Sequence, residues 1–102
     1  MATILVVDDE VGALTLIGIM LERGGFDVIK ARGAYAALEA LENHTPDLII
    51  LDVMMPGMNG IELCRRIRER PETTEIPIVM LSARGDPASV DAGLEADLDL
   101  GS

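Results

Sequence analysis

Two apolar runs in this chain stop on carboxylates. Leu5-Val6-Val7 leads into Asp8-Asp9-Glu10, and Leu48-Ile49-Ile50-Leu51 leads into Asp52. If the two runs are neighbouring parallel strands, Asp8, Asp9 and Asp52 meet at one edge of the sheet. Three like charges at close range repel one another. A hard divalent cation relieves that repulsion, and Mg²⁺ prefers oxygen ligands. The residue types and their placement therefore imply an acidic Mg²⁺ pocket. Plainer roles stand beside this one. Asp52 can cap the turn that follows its strand, and Asp9 and Glu10 can sit at the positive N-terminus of a helix; for Glu10 that is the preferred reading. Met54, Met55 and Met58 read as loop packing rather than ligands, because Mg²⁺ rejects soft sulfur. His44 reads as a solvated residue at a helix end.

The elements that must position these acids alternate along the chain. Thr3 to Asp8 reads as a buried β-branched strand. Glu10 to Arg23 reads as a helix with Leu14, Ile17 and Leu21 on one face, ended by Gly24-Gly25. Phe26 to Ala31 is a strand whose partial alternation suits a sheet edge. Ala34, Ala37, Leu38 and Leu41 set the period of a second helix running to about Asn43, broken by Thr45-Pro46. Asp47 to Asp52 is a third strand, buried on both faces. A Pro- and Gly-punctuated loop follows, Met54-Met55-Pro56-Gly57-Met58-Asn59-Gly60. Ile61 to Arg70 is a third helix with Leu63, Cys64 and Ile67 inward. Ile76 to Leu81 is a fourth strand, with Pro77 near its start. Asp86-Pro87 opens a weakly apolar fourth helix to about Ala96. Strands alternating with helices imply parallel pairing and right-handed crossovers. Ligands of such open sheets bind outside the carboxyl ends of the strands, where Asp8, Asp9, Asp52 and Ser82 all fall.

The 102 residues suffice for one small domain, and the 49% apolar content with 2% aromatics gives an aliphatic core. A formal net charge of −10 argues against nucleic acid and anionic membrane as direct partners. The single cysteine, Cys64, can form neither an internal disulfide nor a CxxC site and reads as a packing thiol. The sequence shows no signal-peptide pattern and no apolar run near the ~20 residues of a membrane span, so a cytoplasmic location is expected.

Four segments together carry a resemblance: Val6-Val7-Asp8-Asp9-Glu10, the strand ending Leu51-Asp52, the loop Met55 to Gly60, and the strand ending Met80-Leu81-Ser82-Ala83. The chain resembles the receiver domain of bacterial two-component response regulators over residues 3 to about 97. The resemblance implies a flavodoxin-like open parallel sheet of order 2-1-3-4 with helices on both faces. It makes Asp52 the phosphoacceptor, a carboxylate nucleophile that takes a phosphoryl group from a phosphohistidine of a sensor histidine kinase. Asp9 and Asp52 would ligate Mg²⁺ directly with the backbone carbonyl of Met54, and Asp8 would act through water or orient the metal shell. Ser82 would hydrogen-bond the phosphoryl group and report it by a shift of its loop; an ordinary turn role is its plainer reading. Pro56 and Gly60 would shape the loop beside the acceptor. The output would be a change in protein contacts with an effector domain or protein. The protein would not be a free-standing enzyme.

The resemblance breaks at the carboxyl end. Such domains continue with a fifth strand, a lysine-proline pair and a fifth helix, whereas no lysine follows Lys30 here. Residues 1–97 then read as an incomplete receiver domain, with 98–102 as a tail whose Gly101-Ser102 resembles a vector-derived scar. Leu98-Asp99-Leu100 reads as a vestigial stub of the fifth strand. Three expectations follow: impaired phosphorylation or switching, an uncovered fourth strand, and a dimer or swapped assembly that covers it. The runner-up function is a pseudo-receiver, a binding module that acts without phosphate. An aspartyl phosphatase is disfavoured, because such enzymes usually space the two aspartates two apart and Asp8 and Asp9 are adjacent. No GxxxxGK loop marks a nucleotide site.

Overall fold

The computed structural model describes residues 2–53, 55 and 57–81. Strands β1 (Thr3–Val7), β2 (Asp27–Ala31), β3 (Leu48–Asp52) and β4 (Ile78–Leu81) alternate with helices α1 (Val11–Arg23), α2 (Ala34–Asn43) and α3 (Gly60–Glu69). All pairings are parallel and the sheet order is β2-β1-β3-β4. This is the flavodoxin-like arrangement expected from the sequence, with β2 at an edge. Ser82, the expected fourth helix and the expected stub at Leu98-Asp99-Leu100 lie outside the described residues, as do Met54 and Pro56.

The strand register sorts side chains onto two faces. Leu5, Val7, Ile49, Leu51, Ile78 and Met80 point to one side and join Ala37, Leu41, Leu63, Cys64 and Ile67 of α2 and α3 in the main core. Ile4 and Val6 point to the other side and pack with Leu14 of α1, with Ile17, Leu21, Val28, Leu48 and Ile50 half-buried around them. The sequence reading expected β3 to be buried on both faces. Leu48 and Ile50 are only half-buried, because among the described residues α1 alone covers that side.

Local chemistry sets the element ends. Gly25 takes φ 95°, a left-handed turn open to glycine, and Phe26 N–H donates to the Leu21 carbonyl at 3.1 Å. Phe26 thus belongs to the helix end, and β2 begins one residue later than expected. Asn59 caps α3, its side-chain oxygen accepting from Glu62 N–H at 2.9 Å. The turn into β4 is fastened by Thr73, whose buried hydroxyl donates to the Ile67 carbonyl at 2.6 Å, and by Arg68, which donates to the Thr74 carbonyl at 2.6 Å. Ile76 N–H is used inside that turn, bonded to the Thr73 carbonyl, so β4 starts at Ile78 rather than Ile76. Pro77 gives the sheet only its carbonyl, which accepts from Ile49 N–H at 2.9 Å.

Helix α1 carries no charge from Val11 to Leu21. Leu14 and Gly18 are buried against the sheet, while Leu16 (59% exposed), Ile19 (44%) and Met20 (63%) stand on the outer side.

Candidate metal centre

The β1–β3 pairing aligns Val7 with Leu51, so the residues that follow each strand emerge side by side at the carboxyl edge. On β1, Asp8 N–H extends the sheet by donating to the Ala31 carbonyl at 3.0 Å. The Asp8 carboxylate accepts from Glu10 N–H at 2.9 Å, which turns the chain into α1. Glu10 is the N-cap residue but its side chain makes no capping bond, so its part in starting the helix is played by its backbone. On β3, Asp52 is a sheet residue paired with Leu81, and Val53 N–H continues the ladder to the Leu81 carbonyl at 2.9 Å.

The loop after Asp52 is anchored at both feet. Gly60 N–H donates to the Val53 carbonyl at 3.0 Å, and Met55 and Met58 are buried in the main core. The two methionines are packing residues, as the sequence reading expected. Gly60 permits this closure: a β-carbon there would lie 2.5 Å from the Asp52 carbonyl oxygen. The family resemblance implied that Gly60 shapes the loop beside Asp52. It did not reveal that α3 begins in contact with the backbone of Asp52, because that distance depends on the tilt of the helix.

One oxygen each from Asp8, Asp9 and Asp52 lies within 4.8 Å of the others. Asp9 is exposed, Asp8 half-buried and Asp52 only 5% exposed. At such separations each pair of ionised carboxylates repels by on the order of 1 kcal/mol in water-like surroundings, and by more near the buried Asp52. A six-coordinate cation with oxygens at about 2.1 Å bridges such a span after small side-chain rotations. The donor set is all carboxylate oxygen, which suits a hard divalent ion and not a thiophilic one. The structure thus brings Asp8, Asp9 and Asp52 together as the sequence implied. The Met54 carbonyl and Ser82 lie outside the described residues.

Two cavities lie at the opposite, amino-terminal end of the strands. One of about 490 Å³ is lined by Leu41, Asn43, His44 and Arg70, where Arg70 approaches Glu42 at 3.8 Å. The other, about 400 Å³, is walled by Pro46, Pro71 and Pro77 with Asp47 and Glu75. The three aspartates lie at the other, carboxyl ends of the strands. Neither cavity is lined by Asp8, Asp9 or Asp52, so these cavities are not that site. His44 is exposed at the end of α2, and Cys64 is buried, both as expected. Among the described residues, no helix is long and apolar enough to cross a membrane.

Comparison with known proteins gives a consistent picture. The family model for the response regulator receiver domain matches residues 4–100. The phosphate regulon transcriptional regulatory protein PhoB of Rhizobium meliloti is 46% identical over 96 residues, covering 94% of this chain and 42% of that protein. The alkaline phosphatase synthesis transcriptional regulatory protein PhoP of Bacillus subtilis is 45% identical, covering 94% of this chain and 39% of that protein. The chain therefore spans about two-fifths of the length of these relatives. Among solved structures, the N-terminal domain of a response regulator receiver protein from Methanoculleus marisnigri superposes with a TM-score of 0.85 at 39% identity, covering 95% of this chain and 79% of that one. The chemotaxis protein CheY4 of Vibrio cholerae superposes with a TM-score of 0.86 at 30% identity, covering 95% and 80%.

Proposed function

Because this chain belongs to the response regulator receiver domain family, we propose that it accepts a phosphoryl group on Asp52 from a phosphohistidine of a sensor histidine kinase, with Mg²⁺ held at Asp8, Asp9 and Asp52. The observation that carries this reading is the convergence of three carboxylates, within 4.8 Å, on the carboxyl ends of β1 and β3.

Asp52 is the nucleophile. One of its carboxylate oxygens attacks phosphorus in line with the donor nitrogen; the P–O bond forms as the P–N bond breaks, and the imidazole leaves with the electron pair. A carboxylate needs no general base for this step. The short reach of a strand-end aspartate, held in the sheet ladder opposite Leu81, presets the direction of attack. Asp9 and Asp52 would ligate the ion directly with the Met54 carbonyl, and Asp8 would act through water while bracing Glu10 N–H. When bound, Mg²⁺ supplies positive charge to the equatorial phosphoryl oxygens. Ser82 would donate its hydroxyl to the phosphoryl group. The Val53 N–H bond to the Leu81 carbonyl links acceptor and β4 one residue before Ser82, which supports a shift of that segment as the readout. The chain acts on itself rather than turning over a separate substrate. The relatives are named as transcriptional regulators, and we place any DNA contact outside this segment, whose net charge is −10.

Incubation with Mg²⁺ and acetyl phosphate tests the reading by intact mass. One phosphoryl adduct is expected, absent in Asp52→Asn and absent when the metal is chelated. Beryllofluoride with Mg²⁺ should give saturable NMR shifts around Asp52 and Ser82. No adduct and no shift would replace this reading with a module that binds partners without phosphate.

A further inference from the structure

We propose that Arg32, at the end of β2, is the guanidinium that draws the incoming anion to the carboxylate site; this rests on the phosphoacceptor reading above. The strand register supplies the placement. Val6 pairs with Lys30 and Val7 with Ala31, and the Asp8 N–H bond to the Ala31 carbonyl carries the ladder one step further. Asp8 and Arg32 are thus the residues that follow the last register pair, Val7 and Ala31, on their two strands. Carried one residue past the strands, the alternation would put both on the α1 side of the sheet, since Ile4 and Val6 precede Asp8 on that side and Val28 and Lys30 precede Arg32. In-register neighbours on adjacent strands stand about 5 Å apart. An extended arginine side chain adds about 7 Å of reach. The guanidinium can thus arrive over oxygens that already lie within 4.8 Å of one another.

The other described cations lie elsewhere. Lys30 lies across α1 at Gly18, where a β-carbon would stand 2.6 Å from its Cε and 3.4 Å from its Nζ. Arg65 and Arg66 share the Glu62 carboxylate at 3.1 and 3.4 Å. Arg68 serves the Thr73 and Thr74 carbonyls, Arg70 approaches Glu42, and Arg23 sits in the last turn of α1 at the far end of the sheet. Arg32 is exposed and has no ion pair among the described residues.

Three carboxylates and one divalent ion leave the site net negative, while the phosphoryl donor is itself an anion. A guanidinium fork suits tetrahedral and trigonal oxyanions, which it grips with two parallel hydrogen bonds. The same charge must oppose the divalent cation. Arg32 therefore has a signature that a merely structural residue lacks: its removal strengthens metal binding and weakens anion binding.

The test is a pair of NMR titrations followed at the amides of residues 8–10 in the full chain at low salt. The first adds Mg²⁺ alone; the second adds beryllofluoride at saturating Mg²⁺. Arg32→Ala should tighten Mg²⁺ about fivefold and weaken beryllofluoride about threefold or more, the scale set by one charge some ~8 Å away in water-like dielectric. Arg32→Glu should roughly double both effects on a logarithmic scale. Arg32→Lys should restore the Mg²⁺ value but only part of the anion affinity. Both effects should fade at ~0.5 M salt. Affinities that move together, or that do not move, overturn the assignment while leaving the phosphoacceptor reading intact. Wild type that fails to bind beryllofluoride overturns both.

Discussion

Replacing Gly60 with alanine should separate the two roles that its missing side chain plays. A β-carbon there would sit 2.5 Å from the Asp52 carbonyl oxygen, 2.8 Å from Val53 Cα and 2.8 Å from a Leu51 methyl. Two of these atoms are main chain, so no rotamer change clears them. Restoring ordinary contact requires roughly 0.9 Å of relative backbone movement between α3 and β3. Overpacking of this kind costs about 1–3 kcal/mol, against up to ~1 kcal/mol gained from alanine's better helix propensity. The expected net effect is a loss of about 1–2 kcal/mol, read as a lower urea midpoint at unchanged slope in metal-free buffer. The displacement falls on Asp52 itself, and a misplacement near 1 Å can cost about 10²-fold in rate. Acetyl-phosphate labelling should therefore drop by at least tenfold under conditions where the variant is still folded. Gly12→Ala is the control. A β-carbon there meets only Glu10 Oε1 at 4.0 Å, so the same substitution should raise stability by about 0.5 kcal/mol and leave labelling unchanged. A Gly60→Ala protein as stable as wild type, with full labelling, would show that α3 does not press on Asp52 as described.

Three further outcomes are expected. Mg²⁺ at a hundredfold excess over its dissociation constant should raise stability by about 2.7 kcal/mol, and Asp52→Asn should lose most of that increment in calorimetric scans with and without metal. Thr73→Val should lower stability by about 1–2 kcal/mol, because the buried hydroxyl donates to the Ile67 carbonyl at 2.6 Å; equal urea midpoints would contradict this. Asn59→Ala should cost about 1 kcal/mol through loss of the cap on Glu62 N–H, and Asn59→Asp should retain most of it.

The sequence was most readable where one signal dominated. The period of Ala34, Ala37, Leu38 and Leu41 gave α2 its observed bounds, the apolar runs ending in Asp8 and Asp52 pointed to the shared edge, and the family resemblance supplied the strand order. It was less readable where a residue had two candidate partners. Phe26 and Ile76 look like strand residues by type. Their N–H groups are taken by the helix end at Leu21 and by the turn at Thr73, and no alternation pattern records that competition. The half-burial of Leu48 and Ile50 was hidden for a different reason. A run of four aliphatics states what a strand tolerates, not how much cover each face receives. At the site, the meeting of three acids followed from strand order alone. The approach of Gly60 to the Asp52 carbonyl, and of Lys30 to Gly18, needed the inclination of helices to the sheet, which the one-dimensional pattern does not encode.

The uncharged outer side of α1 bears on how the protein behaves in concentrated solution. A formal charge of −10 makes copies repel one another, which opposes contact between the exposed Leu16, Ile19 and Met20 of different copies. The range of that repulsion contracts from about 30 Å at 0.01 M salt to about 10 Å at 0.1 M, while attraction between apolar patches does not weaken. Ionic strength thus removes the colloidal barrier first. The osmotic second virial coefficient should fall steadily with added salt from dilute buffer onward, and the protein should keep best where the buffer is thin.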